Sequence, residues 1–285
     1  MKIYPINTGN FKLDGGAMFG VVPKSLWTRT NTPDSNNMCD WSMRCMLIED
    51  ENRLILIDTG IGDKQSEKFF SHFYLNGDDS LKKSIEALGF GLDEITDVVL
   101  THLHFDHCGG AIIHNNRKER YETYFPNATY WSNENHWKWA TEPNAREKAS
   151  FLSENILPIQ ESGQLKFVER TGNFSKGIIP NMEFFFADGH TESQMIPILN
   201  YQGKKIAFMA DLLPSVGHIP LPYVMGYDTR PLLTLDEKEF FLNKCTEEEI
   251  ILFLEHDFHN ECCTLKMTEK GVRLNEAFSF ASLFS

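Results

Sequence analysis

The apolar runs of this chain are short and spread along most of its length. Met43 to Glu49 and Arg53 to Asp58 are two of them, parted by Asp50-Glu51-Asn52, and the pattern predicts a β-hairpin. Asp58-Thr59-Gly60 then ends the second strand in a turn. Asp78-Asp79-Ser80 caps a predicted helix through Leu88, with Leu81, Ile85 and Leu88 on one face and Gly89 as its stop. Asp97 to Thr101 reads as a buried strand that delivers the chain into His102. Residues 111 to 160 differ in character: they are polar and aromatic, with Trp131, Trp137 and Trp139 close together and a helix opening at Pro143-Asn144 toward Leu152. Strands resume at Leu165 to Val168 and Glu183 to Ala187. Met195 to Tyr201 and Lys205 to Ala210 predict a second hairpin around Gln202-Gly203-Lys204. Asp236 to Lys244 reads as a helix, Ile250 to Leu254 as a strand, and a last hairpin turns at Glu269-Lys270-Gly271. Strands with flanking helices in this mixed order predict layered sheets with helices outside. With no repeat and no Pro/Ser-rich linker, the expectation is one domain over residues 1–285, carrying a helical insertion near 111–160 as a lid or a dimer contact.

Composition narrows the class of partner. The 285 residues are 41% hydrophobic and 24% charged, an ordinary globular balance. With 27 Lys+Arg against 40 Asp+Glu, the net charge of −13 argues against nucleic acid, because phosphate binding draws on clustered Lys and Arg. No apolar run approaches the ~18 residues of a membrane span, and the stretch before Asp14 lacks the apolar core of a signal peptide. Six cysteines, none in a CxxC pair, fit reduced thiols and a cytoplasmic location.

The chemistry concentrates in Thr101-His102-Leu103-His104-Phe105-Asp106-His107, at the mouth of an apolar strand. Imidazole is the commonest metal ligand, and carboxylate joins it for hard divalent ions. His102 and His104 alternate on an extended backbone, so both can reach one ion. Asp106 and His107 follow a turn and can face a second, and Gly109-Gly110 lets the chain bend tightly afterwards. Further candidates each end an apolar run: His190 after Phe184 to Ala187, Asp211 after Ile206 to Ala210, and His256 after Ile250 to Leu254.

These residues resemble the pattern of the metallo-β-lactamase superfamily: H-x-H-x-D-H, then His, Asp and His. The resemblance runs from about Met43 to His256 and fills all seven positions. It implies an α+β fold, a four-layer αβ/βα sandwich with the metals at one sheet edge. It implies that His102, His104 and His190 bind one ion, that Asp106, His107 and His256 bind the other, and that Asp211 bridges them. Asp58 then stands where the family keeps a buried carboxylate that orients a liganding His. Zinc is the first choice for both divalent ions, with iron, manganese and cobalt also compatible with this donor set. The implied activity is hydrolysis by a metal-bridging hydroxide, with Asp106 passing a proton to the leaving group.

Departures from the pattern sort the substrates. Antibiotic-hydrolysing members usually carry Cys or Ser where this chain has Asp211. The stretch after His256 is short for a glutathione-binding helical domain, and His104 stands where flavodiiron relatives have Glu. What remains is similar to acyl-homoserine lactonases and methyl-parathion-hydrolase-like enzymes, in Leu13 to Gly20 as well as in the His motif. The expected substrate is a small lactone or carboxylic ester. The alternatives are a phosphotriester, or oxidoreductase chemistry at iron in the manner of sulfur dioxygenases. The lactonases grip the carbonyl with a Tyr just after the bridging Asp, whereas Leu212-Leu213-Pro214-Ser215 holds none, so Tyr227, Tyr223 and His218 are the candidates here. Phe19, Trp27, Trp137 and Trp139 are candidate pocket walls, and Cys108 reads as a small packing residue.

Overall fold

The computed structural model describes residues 1–115, 117 and 119–283. The chain divides into two compact units, the first made of 1–10 and 43–170, the second of 11–42 and 171–285.

The first unit holds residues 2–10 of β1 (Lys2–Asp14) and 43–50 of β2 (Met38–Asp50), then β3 (Arg53–Ile57), β4 (Asp97–Val99), β5 (Ile112–His114), β6 (Tyr121–Thr123), β7 (Thr129–Ser132) and β8 (Leu165–Phe167) in order. They form a six-stranded sheet in the order β1-β2-β3-β4-β7-β8 and a separate β5-β6 pair. β2 and β3 are antiparallel and join as a hairpin, with Glu51 in the left-handed region at φ 52°. β3, β4, β7 and β8 run parallel. Interior parallel strands are apolar on both faces, and Ile55, Leu56, Ile57, Val98 and Val99 are accordingly buried. The core adds Leu81 and Ile85 from the helix Leu81–Ala87, and Ile156 and Ile159 from the helix Ser153–Glu161.

In the second unit, β9 (Phe174–Lys176), β10 (Met182–Ala187), β11 (Gln194–Tyr201), β12 (Lys204–Phe208), β13 (Ile251–Phe253), β14 (Cys262–Thr268) and β15 (Gly271–Phe278) form one sheet in the order β15-β14-β13-β12-β11-β10-β9. Only β12 and β13 pair parallel, and the connection between them contains the helix Pro231–Glu247. Gln202 and Gly203, at φ 49° and 76°, make the tight turn between β11 and β12.

Several expectations need correction. The stretch 111–160 is mixed: beside the helices Glu134–Thr141 and Ser153–Glu161 it holds β5, β6 and β7, and β7 is an interior strand between β4 and β8. Thr129, Tyr130, Trp131 and Ser132 suit a pleated, half-buried surface, and Tyr130 and Ser132 are the buried alternates. No helix opens at Pro143. Asn144 Oδ1 accepts the backbone N–H groups of Arg146 and Glu147 and holds residues 145–150 in turns. The helices flank that stretch, Glu134–Thr141 started by Asn133 Oδ1 on His136 N–H, and Ser153–Glu161 after it. The face assigned to Leu88 is also wrong. The helix stops at Ala87, Gly89 turns the chain at φ 88°, and Leu88 is exposed. The helix expected over 236–244 is longer, Pro231–Glu247, because Pro231 supplies the preset φ of a first turn.

A polar node braces β3, β4 and β7. Buried Asp97 accepts from Arg53 Nε at 2.9 Å and Arg53 Nη2 at 2.5 Å, from Trp131 Nε1 at 2.7 Å and from Thr96 Oγ1 at 2.7 Å. Burial works to raise the Asp97 pKa, but Arg53, Trp131 and Thr96 outweigh it and hold the pKa below the usual carboxylate value. Removing one partner of a buried pair strands the others. Asp97→Ala is therefore expected to cost about 3 kcal/mol in denaturant unfolding, and a loss under about 1 kcal/mol would contradict this account.

Candidate metal centre

In the first unit the site starts from Asp58, fully buried and directly after β3. Its φ of 56° is a left-handed conformation rare for a residue with a Cβ. Its Oδ1 accepts the Thr101 N–H at 2.8 Å, and its Oδ2 accepts the Thr101 hydroxyl at 2.7 Å and stands 3.0 Å from His107 Nδ1. The threonine hydroxyl has one hydrogen, and it goes to Asp58. The contact of that oxygen with His102 Nδ1, at 3.1 Å, therefore places a proton on His102 Nδ1. One carboxylate thus sets two tautomers, and both His102 and His107 keep their lone pair on Nε2. The imidazoles gather closely, with ring centroids 3.9 Å apart for His102 and His107 and 4.6 Å for His102 and His104. Asp106 Oδ2 lies 3.8 Å from His107 Nε2. The short helix Phe105–Cys108 that carries Asp106 and His107 sits against the turn after Asp58. Gly110 N–H donates to Gly60 O at 2.8 Å, and a Cβ on Gly110 would come within 2.1 Å of Thr59 O, so only glycine fits there.

The second unit carries His190, Asp211 and His256. His190 follows β10 in a turn held by Glu237 of the helix Pro231–Glu247, which accepts the N–H groups of Asp188 at 2.7 Å and Gly189 at 2.9 Å. His190 Nδ1 is 2.8 Å from Asp228 Oδ1, and His190 Nε2 is 3.1 Å from Asp211 Oδ2. His256 Nδ1 is 2.8 Å from the carbonyl oxygen of Ser42, and its Nε2 is 3.0 Å from Asp211 Oδ1. A carbonyl carries no hydrogen, so His256 Nδ1 is the protonated nitrogen and Nε2 holds the lone pair. Asp228 does the same for His190. Asp211 thus presents one oxygen to each of two imidazole lone pairs. Acceptors facing each other at about 3 Å repel unless a cation lies between them. Burial alone would lower the His190 pKa, but Asp211 and then Asp228 override it and raise it to about 10. The gap calls for positive charge, and an all-nitrogen-and-oxygen donor set fits a divalent ion such as zinc.

The proposed substrate-gripping groups fare differently. His218 is corrected. It is buried, its Nε2–H donates to Met18 O at 2.9 Å, and its Nδ1 takes the Ser215 hydroxyl at 2.8 Å. Its ring stacks on Phe19 at 4.3 Å and 7°. Both nitrogens are committed inside the protein, so His218 is a packing residue. Burial pushes its pKa down to about 3. Lys238, also buried, donates to the carbonyls of His218, Pro220 and Tyr223 and fixes that loop. Tyr223 stands edge-on to Phe19, with ring centroids 6.5 Å apart. Tyr227 is 41% exposed, next in sequence to Asp228. Phe19 and Trp27 stack at 5.3 Å and are buried, and Trp137 packs in the core. Trp139 donates its Nε1–H to Glu147. Cys108 packs in the core, where burial raises its thiol to about 12. Sequence reasoning missed Asp228, the Ser42 carbonyl and an aromatic cluster beside the His motif. In that cluster Phe105 meets Phe69 at 5.4 Å and Phe73 at 4.7 Å.

Two measurements follow. Asn at position 58 has one acceptor oxygen for three donors and turns an N–H toward one of them. Asp58→Asn is expected to weaken zinc binding roughly 10- to 100-fold in chelator competition. Unchanged affinity would show that the carboxylate does not set the ligands. The second concerns His218. Its pKa is depressed, so below pH ~6.5 the unfolded chain takes up a proton that the folded chain refuses until about pH 3. Its stabilising contribution is complete above the unfolded value and is lost as pH falls, on the order of 4 kcal/mol over that window. Denaturant unfolding at pH 7.5 and 4.5 should show a smaller acid loss in His218→Gln than in the wild type, and an equal loss would refute the assignment.

The geometry agrees with what the chain is similar to. The metallo-beta-lactamase superfamily pattern matches residues 43–243. An N-acyl homoserine lactonase of Bacillus cereus is 22% identical over 278 residues, covering 91% of this chain and 94% of the relative. A probable metallo-hydrolase of Mycobacterium bovis is 34% identical over 109 residues, 33% of this chain and 35% of its own. Among solved structures, a probable metal-dependent hydrolase from Staphylococcus aureus superposes with a TM-score of 0.85 at 26% identity, over 98% of both chains. AidC, a dizinc quorum-quenching lactonase in complex with a product, does so with a TM-score of 0.78 at 21% identity, over 97% of this chain and 95% of its own. The chain belongs to the metallo-beta-lactamase superfamily and has its α+β fold.

Proposed function

We propose that this protein is a dinuclear metal-dependent hydrolase acting on a lactone or carboxylic ester with an apolar acyl group, as one domain of this superfamily. The family pattern assigns His102, His104 and His190 to one ion and Asp106, His107 and His256 to the other, with Asp211 shared. The observation that carries the reading is Asp211, whose two oxygens each face the Nε2 of a different histidine, at 3.0 and 3.1 Å. Two zinc ions bound there would make a water acidic enough to lose its proton near neutral pH and would polarise the acyl oxygen. The chain's own residues do the rest. Asp58, Asp228 and the Ser42 carbonyl hold the ligand tautomers. Asp106, buried beside His107, takes up a proton and returns it to the leaving oxygen. Tyr227 is the group proposed to hold the carbonyl.

An acyl substrate is favoured by Phe69, Phe73 and Phe105. They are half-buried, in mutual ring contact, and Phe105 lies between the ligands His104 and Asp106. Such a wall suits a carbon chain.

The test joins elemental analysis to a substrate panel. The expected result is about two zinc ions per chain, with turnover of lactones or aryl esters that chelation abolishes and zinc restores. Phe105→Ala is expected to lower kcat/KM roughly tenfold for a long acyl chain and to leave an acetyl ester nearly unaffected. One iron per chain with oxygen uptake and no hydrolysis would overturn the proposal. Turnover of phosphotriesters alone would overturn its choice of substrate.

A further inference from the structure

The stretch 133–151 touches the ligand-bearing segment at three successive residues. The Leu103 N–H donates to His136 Nε2 at 2.8 Å. His104 Nε2 lies 3.4 Å from Glu147 Oε1. The Phe105 N–H donates to Ser150 O at 3.1 Å. The Phe151 ring backs both imidazoles, 4.7 Å from His104 and 5.8 Å from His136. Glu147 is a buried carboxylate, and its other oxygen is fully occupied: Oε2 accepts Trp139 Nε1–H at 2.7 Å and Asn144 Nδ2–H at 2.5 Å. The Asn144 side chain returns the contact by accepting the Glu147 N–H at 3.1 Å. Trp139 and Asn144 therefore fix the carboxylate so that Oε1 is the oxygen turned to His104.

We propose that Glu147 is a positioning residue for His104, the charged member of a clamp that 133–151 closes on the ligand segment. The inference rests on the dinuclear reading and deepens it. Glu147 Oε1, 3.4 Å from His104 Nε2, favours the tautomer with the proton on Nε2, which leaves the metal-binding lone pair on Nδ1. His136 accepts from Leu103 and holds the backbone between His102 and His104. A carboxylate behind an imidazole makes that ring a stronger ligand and fixes its orientation. His102 and His107 draw this support from Asp58, whereas His104 draws it from a different segment. The ion assigned to His102, His104 and His190 would therefore draw on Glu147 as well as on Asp58, whereas the ligand His107 of the other ion draws on Asp58.

The isosteric change Glu147→Gln separates this from a space-filling role. An amide whose oxygen stays on Trp139 and Asn144 turns its N–H toward His104 Nε2. Nε2 then becomes the acceptor, and the Nδ1 lone pair is replaced by a proton. Two readouts apply. Zinc binding is followed by chelator competition with elemental analysis, and the His104 tautomer of the metal-free protein by long-range ¹⁵N–¹H NMR. The expected result is a roughly 10- to 100-fold weakening of one of the two zinc ions, with the other changed by less than about threefold. It comes with a switch of His104 from Nε2–H to Nδ1–H. Trp139→Phe, which loosens the carboxylate without reversing its polarity, should weaken the same ion to a lesser degree, and it decides the matter if the Gln variant does not fold. Two ions bound as tightly as in the wild type by a folded variant, with the tautomer unchanged, would overturn the clamp and leave the dinuclear reading standing. A wild-type chain that takes up no zinc would overturn the dinuclear reading first, and the His104 tautomer would still decide the role of Glu147.

Discussion

An imidazole can give a lone pair to a metal from one nitrogen only when the other is protonated, and inside a protein that proton needs an acceptor. This requirement organises the candidate centre. His107 gives its proton to Asp58 directly, and His102 gives its proton to the Thr101 oxygen, which Asp58 has fixed. His190 uses Asp228, and His256 uses the carbonyl of Ser42. The acceptors differ in cost. A buried carboxylate must be well supplied with donors to stay charged, and Asp58 receives the Thr101 N–H and hydroxyl as well as His107. A main-chain carbonyl carries no such cost but needs its strand held in place. Ser42 meets that need by bonding back to the His256 loop, its hydroxyl to Glu255 O at 2.6 Å and its N–H to His256 O at 3.2 Å.

The backbone shows where this fixing is concentrated. Of the eight described non-glycine residues with positive φ, three stand beside the candidate ligands: Asp58, Ser193 and Ala210, at 56°, 54° and 42°. Asp58 orients two ligands, Ser193 closes the turn that carries His190, and Ala210 directly precedes Asp211. Left-handed conformations of this kind cost of order 1–3 kcal/mol each and persist where surrounding structure over-determines them. The supports are visible. Asp188 Oδ1 accepts the Ser193 N–H at 2.8 Å, and Met209 N–H bonds Phe253 O at 2.9 Å just before Ala210 turns. His190 and Asp211 thus follow the ends of β10 and β12, and only the residues beyond each strand are bent to aim the side chain.

How much of this the sequence discloses follows from the range of the interactions. His102, His104, Asp106 and His107 are legible because they are close together, and His190, Asp211 and His256 because each follows an apolar strand. The hairpins at Glu51, Gln202-Gly203 and Gly271 are legible because positive φ selects a few residue types. Asp228 lies 38 residues from His190 and reads as an ordinary turn residue, and a carbonyl acceptor such as Ser42 O leaves no mark on residue type. The stretch 143–152 misleads because Arg146, Glu147 and Lys148 favour a helix, while the Asn144 side chain captures the N–H groups that would start one. Phe19 and Trp27 look like pocket walls because aromatic character does not tell a stacked core ring from an exposed one.

The net charge of −13 also needs to be read against burial. Asp58, Asp97, Asp106, Asp211, Asp228, Glu147 and Glu255 are all buried, so the surface is less acidic than the count suggests. In the second unit Asp211 faces the Nε2 of both His190 and His256 while Asp228 accepts the His190 Nδ1–H, and Asp211 and Asp228 raise the His190 pKa to about 10. Without a metal, the raised pKa favours a proton on His190 Nε2, facing Asp211. A metal ion held by His190 and Asp211 would have to displace that proton, so metal and proton would compete for one position. The competition weakens as pH rises, because fewer protons are then available to hold the gap. The same carboxylates that make the metal-free site costly to leave uncharged give it its preference for a cation.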